Sequence, residues 1–378
     1  PYTTLFRSTQ GFLPPRMTEA HRNAIVSPAT GLVLFCTDCG LYGELQLYNG
    51  TTYTNMVGDA ASTIPFTTQL GSDMDGAATG DQSGTSVSLS NDGTILAIGA
   101  PFNDDNANEA GQVRVFEYSN GSWTQLGSDI EGESSGSWAG RSVSLSANGN
   151  IVAIGSERDD NVNGLEAGQV QVYEYSNGSW SQIGSDIHGE AAFDFSGVSI
   201  SLSSDGHTVA IGADDNDDNG GWSGHVRVYQ YGNNTWTQLG GDIDGEASGD
   251  RSGRSVALSS DGTIVAIGAF NNDDNGYRSG HVRIYQIINN SWIQLGNDID
   301  GEANEDLCGL SVALSSDGTI MATASPYNDD NGINSGHVRV FKYSNSSWIQ
   351  LGGDITGEAS GDTFGYNNCI DLSSNGTI

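Results

Sequence analysis

Lysine is all but missing from this chain. Lys342 is the only one, and Lys and Arg together number 13 against 47 Asp and Glu, a formal charge of −34. So acidic a surface repels phosphates, which argues against nucleic acid and anionic membrane as partners. It suits simple solubility, salty surroundings or a load of cations. The excess lies late in the chain: before Phe66 there are three arginines and four acids. No run approaches the roughly 18 apolar residues that a membrane-spanning helix needs. Four cysteines are too few for a disulfide scaffold. Cys36 and Cys39 form a C-x-x-C where a hairpin turn belongs, read as a turn with two thiols or a local disulfide. Cys308 and Cys369 stand alone, so there is no second pair for zinc. Also missing are a phosphate loop, a Ser–His–Asp or Cys–His arrangement and a zinc-protease motif, and no enzyme activity is expected.

What the chain has is repetition. Trp123, Trp180, Trp236, Trp292 and Trp348 mark a period of about 56 residues. In the fourth copy, residues 255–258, 263–269, 281–286 and 292–295 read as four strands. The second is nearly all apolar, as in a strand buried on both faces, and the third alternates. Asp-Gly and Asn-Gly turns predict type I′ hairpins between strands one and two and between three and four. A four-stranded meander that must stack on its neighbours is a propeller blade. The fold expected is all-β: five complete blades over residues 64–378 and a sixth cut at Ile378. The segment 67–71 resembles the end of a fourth strand and is expected to supply the outer strand of the last blade. Equivalent Trp and second-strand residues should be buried between blades.

Residues 1–8 read as translated sequencing adaptor and are set aside. Residues 9–63 form a separate small module. It has an extended Pro-Pro arm, a short helix from Thr18 to Ile25, and two strands at 32–35 and 44–48 closed by Asn49-Gly50. The run Gly-Phe-Leu-Pro-Pro-Arg-Met at 11–17, followed by Ser-Pro-Ala-Thr-Gly at 27–31, resembles a segment of bacterial surface and tail-fibre-like proteins. That resemblance implies an extracellular setting and no catalysis.

The repeats resemble the FG-GAP repeats of integrin-type β-propellers. Phe364-Gly365 and Gly99-Ala100-Pro101 keep the two name-giving motifs, which are worn elsewhere. The resemblance covers the whole repeat region and implies closure with about seven blades in a full ring. The calcium loop common in that family is reduced here to Ser-Ser-Asp-Gly at 259–262 and its equivalents, too few oxygens for calcium, so that site is not carried over.

Strand order sends the tight turns to one face of the ring and the long acidic connections to the other. On the acidic face Asp-Asp-Asn recurs in all five blades. Asp104, Asp105, Asp159, Asp160, Asp217, Asp218, Asp273, Asp274, Asp329 and Asp330 are therefore the candidate metal ligands, with Ca²⁺ the candidate cation. Asx-turns are the simpler account of the same triplet. The connections between blades carry Asp242, Asp244, Glu246 and Asp250, and Asp298, Asp300, Glu302 and Asp306, read as a solvated acidic rim. His225, His281 and His337 share one position, held by Gln112 and Gln169 earlier; being a blade apart they do not meet on one zinc, and a structural role is expected. Arg114, Arg227, Arg283 and Arg339 recur at one strand position and are expected to pair with acids between blades. Phe102, Trp222, Phe270, Tyr277 and Tyr327 are candidates for a ligand face; the alternative is packing against the next blade. Asn-Gly-Ser triplets such as 120–122 match the glycosylation sequon only because Asn-Gly makes the hairpin turn.

The expectation is a secreted or cell-surface adhesion or ligand-recognition module that binds an extracellular protein or glycan through its acidic face. A structural spacer or display domain of a fibre protein is the second reading, a carbohydrate-active enzyme fragment the third.

Overall fold

The structure, a computed structural model, describes residues 16–17, 33–36, 44–48, 53–55, 69–366 and 370–377. The chain divides into two units, residues 1–72 and 73–378. In the first, Arg16–Met17 pairs parallel with Val33–Cys36, which pairs antiparallel with Glu44–Tyr48, which pairs with Tyr53–Asn55. The two strands expected at 32–35 and 44–48 are thus present. The proposed helix, the Asn49-Gly50 turn and Cys39 lie outside the described residues.

The second unit is five sheets of one design. In blade 4, Ser252–Leu258, Ile264–Ala269, His281–Ile288 and Ser291–Gln294 form an antiparallel meander. The sequence misses a further strand. After the fourth strand the chain bulges at 295–298, then Ile299–Asp300 returns to pair with Val282 and His281. Every blade repeats this, so each outer strand has two halves and the bulge between them carries an acid.

The hairpin between strands three and four is the predicted two-residue type I′ turn: Asn120 and Gly121 both have positive φ, and Ser119 pairs with Ser122. The turn between strands one and two is not. In blade 4 only Gly262 has a positive φ; the Ser259 N–H donates to the Ile264 carbonyl across a longer loop whose hub is Asp261. A Ser hydroxyl and a carboxylate that cap N–H groups here outcompete the shorter turn.

Second-strand residues are buried almost completely, and each apolar cluster is shared by two successive blades. Between blades 3 and 4, for example, Val226, Val228 and Ile243 meet Leu258, Val265 and Tyr285. Each such side chain contributes about 1.5–3 kcal/mol when fully buried. The repeated Trp acts at the same seam. Trp292 Nε1–H donates to the Leu239 carbonyl of the blade before at 2.8 Å, and its ring lies where a Cβ on Gly240 would sit. Trp180, Trp236 and Trp348 bond likewise to Leu126, Ile183 and Leu295. Trp236 is buried and the other repeated Trp rings are half-buried, so all are largely covered, as expected.

The end blades leave this seam open on one side. Val87 and Ile355 are 62% and 52% exposed, whereas their equivalents Val143 and Ile299 are 9% and 5% exposed. The segment 370–377 docks on blade 5, where the Ser316 N–H donates to the Ser374 carbonyl. The segment 67–71 falls partly outside the described residues. First strands of all five blades line an axial cavity of about 1070 Å³.

Candidate functional site

The connections between strands two and three share a face with those between blades. In the first group, the opening Asp of the triplet caps its own loop: Asp273 accepts the Arg278 N–H, and Asp104, Asp217 and Asp329 do the same in their blades. The closing Asn ties that loop to the next connection, Asn275 Nδ2–H donating to the Gly301 carbonyl at 2.7 Å. Asx-type bonding therefore accounts for two of the three residues. The middle acids Asp105, Asp218, Asp274 and Asp330 remain exposed.

Blade 2 is out of step. Asp160 caps the loop and Asp159 is buried beside Ser134, in the place that Asn103 and Asn216 occupy elsewhere. Burial pushes the Asp159 carboxyl up to about 6. Asn161 falls where the other blades put the middle acid. The triplet kept in the sequence is thus not one structural triplet.

In the connections between blades the solvated-rim reading fails for the fourth acid. Asp81, Asp194, Asp250 and Asp306 are buried hubs. Asp250, for instance, accepts from the Ala247 N–H and from Asn272. The cause is local: a short loop folded over a carboxylate satisfies its own N–H groups.

This shared framework holds two crest residues per blade in the left-handed region. In the strand-two-to-three connections they are Glu109, Glu166, Trp222, Arg278 and Asn334, with φ of 49–57°. In the connections between blades they are Trp138, Phe195, Arg251, Leu307 and Thr363, with φ of 47–58°. A backbone bond joins each pair, such as Arg251 N–H to the Trp222 carbonyl at 3.1 Å. The backbone is constant and the pair of side chains differs from blade to blade. Left-handed φ is costly for such residues. The sequence signal was there: variable positions at a fixed offset from a fixed Asp.

A second arrangement links three blades. Glu190, Asp218, His225 and Asp242 bring ligand-type atoms within 4.8 Å of one another; so do Glu246, Asp274, His281 and Asp298, and Glu302, Asp330, His337 and Asp354. The Glu comes from the connection entering the blade, the Asp from the triplet, the His from the start of strand three and the last Asp from the outer-strand bulge. The histidines do stand a blade apart, as expected, but each has its own carboxylates. The expected pairing of arginines with acids is present here: Arg227, Arg283 and Arg339 reach Glu190, Glu246 and Glu302 at 3.3–3.5 Å. Arg114 makes the backbone-carbonyl bond that the other three also make, here to Asp75, but has no such carboxylate, because Ala77 stands where the Glu would be.

Of the aromatic candidates, Trp222 and Tyr277 are exposed, at 58% and 59%. Phe102 packs edge-on to Trp138 and Tyr327 against Tyr366, so these two turn toward neighbours; Phe270 is half-buried. At the axial mouth Arg158 stacks over Trp138 at 4.1 Å, while Arg141 pairs with Glu157 and Arg254 with Asp214. Burial pushes the Glu157 carboxyl up and the neighbouring guanidinium groups oppose it. Among the described residues no helix is long and apolar enough to cross a membrane.

Among solved structures the chain is similar to hydrazine synthase of Kuenenia stuttgartiensis, with 15% identity, 74% of this chain and 69% of that one covered, and a TM-score of 0.48. It is also similar to a periplasmic gluconolactonase of Pseudomonas aeruginosa, with 14% identity, 73% and 86% covered, and a TM-score of 0.42. A search of the curated proteins finds no match. Residues 3–72 match a phage tail like trimerisation region, and residues 73–116 and 243–285 match the FG-GAP repeat. The FG-GAP matches fall on blade 1 and on blade 4 with the connection that enters it, and the match to a phage tail like trimerisation region precedes them.

Proposed function

We propose that this chain is a non-catalytic recognition module, displayed at a cell surface or on a fibre, that binds a glycan through the crest of its loop face. The observation that carries this reading is the row of crest pairs, where one backbone holds a different pair of side chains in each blade. A spacer has no use for strained residues whose side chains vary from blade to blade. Exposed Trp222 and Tyr277 offer flat apolar platforms of the kind sugars stack on, and nearby carboxylates accept sugar hydroxyls. The carboxylates at the axial mouth are paired with arginines rather than free to act as an acid–base couple, which favours binding over hydrolysis. The match to a trimerisation region favours display in three copies, which strengthens weak sites through avidity.

The test is a glycan array probed with the wild-type chain and with Trp222→Ala and Tyr277→Ala variants. Binding that falls at least tenfold in the variants supports the reading, provided Tm moves by no more than about 2 °C. Equal binding by all three chains would place recognition elsewhere, and silence across the array would turn the reading toward a protein partner.

A further inference from the structure

We infer that blades 3, 4 and 5 each hold a divalent transition-metal ion of the zinc class, bound by one imidazole and three carboxylates: Glu190, Asp218, His225 and Asp242; Glu246, Asp274, His281 and Asp298; Glu302, Asp330, His337 and Asp354.

The argument begins with the histidines. His225, His281 and His337 are 0–1% exposed, and neither ring nitrogen of any of them has a hydrogen-bond partner. Leaving a buried polar atom unpaired is costly, and here six such atoms recur at one position. For two of them carboxylates stand at 3.8–4.0 Å, too far for a hydrogen bond: Nδ1 of His225 faces Glu190 and Nδ1 of His337 faces Glu302 and Asp330. Three carboxylates crowd around each of these rings. A cation among the four donors would pair every one of these groups.

Blade 1 is the internal control. There Gln112 takes the histidine's place, and its amide Nε2 lies within hydrogen-bond reach of Asp105, Asp129 and Glu131, at 3.0–3.4 Å, and shares its two hydrogens among them. An amide N–H thus does for those acids what the imidazole does not do in blades 3–5. The residues also change together. Blade 1 has Gln112 and lacks the entering Glu, replaced by Ala77; blade 2 has Gln169 and lacks the middle acid, replaced by Asn161. Histidine occurs only in the blades where all three carboxylates are present.

The surroundings suit a built site. One oxygen of Glu190 reaches Arg227 and the other faces His225, so the guanidinium orients the carboxylate. Asp242, Asp298 and Asp354 each accept from a Gln on the adjoining strand, Gln238, Gln294 and Gln350. The nitrogen donor and the four-residue set favour zinc-class ions over calcium, which takes six to eight oxygens. Because the Glu enters from the connection between blades, each ion joins that connection to the blade it leads into.

The experiment is to strip the full chain with a chelator, dialyse it, and titrate Zn²⁺ by calorimetry, with Ca²⁺ in parallel. The expected result is three Zn²⁺ per chain, one for each cluster, a rise in Tm with Zn²⁺, and at least tenfold weaker Ca²⁺ binding. The triple variant H225Q/H281Q/H337Q installs the residue that blades 1 and 2 carry, and should fold and lose all three sites. A second triple variant, D242N/D298N/D354N, removes an exposed or half-exposed ligand and should lose them too. Fewer than three sites in wild type, full Zn²⁺ binding retained in either folded variant, or Ca²⁺ binding as tight as Zn²⁺ would each overturn the assignment.

Discussion

The two faces of the blades spend the same conformation in opposite ways. In the turns between strands one and two the left-handed residue is glycine in every blade: Gly93, Gly149, Gly206, Gly262 and Gly318, with φ of 68–75°. On the loop face the left-handed crest carries Trp, Phe, Arg, Leu, Glu, Asn and Thr. The turn face also repeats its chemistry, since a Ser and an Asp or Asn cap the same N–H groups in each blade and successive turn tips bond to one another. What the difference teaches is that one face is built for sameness and the other for variation on a fixed frame.

The largest break in that contrast is expected from a side chain on the turn face. A Cβ on Gly318 would lie 2.6–3.3 Å from atoms of Ile264 in the preceding blade, with φ at +68°. Gly318→Ala should therefore cost about 2–4 kcal/mol, read as a shift in denaturant midpoint. A cost below 1 kcal/mol would mean the blades do not pack at their tips.

Next comes the hub. Ser259 Oγ donates to Asp261 and accepts the Ile264 N–H while buried. Ser259→Ala leaves an N–H unpaired and should cost about 1–3 kcal/mol in the same measurement.

Acid should act on this face as well. Burial pushes the Asp261 carboxyl up, but bonds from Ser259 and from the N–H and hydroxyl of Thr263 outweigh it and hold the group below its usual value. Asp92, Asp205 and Asp317 are likewise held low. For a depressed carboxylate the stabilisation is fully present above the unfolded value near 3.8 and is lost as pH falls through the folded one. Tm should therefore drop as pH falls from about 4 downward. Changing all four to Asn, which blade 2 already uses at Asn148, should flatten this contribution. An unchanged acid limb would put its origin in other carboxylates.

The smallest effect on stability is expected at the crest. Trp222→Gly removes a side chain from a left-handed position, so stability should stay within about 0.5–1 kcal/mol of wild type or rise, while glycan binding is lost. A large destabilisation would make Trp222 part of the packing and not of a binding surface.

Much of this was readable beforehand. Blade number, strand order and the placing of long connections on one face follow from period, alternation and Asn-Gly turns. Other features were hidden by non-local geometry. The returning strand at Ile299–Asp300 is two residues long and follows a bulge, too brief to show a period. The repeated Asp-Asp-Asn looked like one site, yet a one-residue shift in blade 2 gives Asp159 another task. The His clusters draw on residues up to 52 positions apart, Glu190 to Asp242, and only the folding of connection, strand and bulge together brings them within reach. Their signal was the joint loss of His with a partner acid, visible only when repeats are compared column by column.

The seam between blades has a direction. Trp180, Trp236, Trp292 and Trp348 each donate backward to a Leu-Gly or Ile-Gly step of the blade before, so the two sides of the seam differ and no blade presents a surface complementary to itself. Such a contact joins head to tail and leaves the same two unlike ends however many units are joined. Removing or duplicating one whole period therefore recreates the junction it interrupts. Repeat number can drift through unequal exchange without new interfaces having to evolve, while the crest of every added blade is free to acquire side chains of its own.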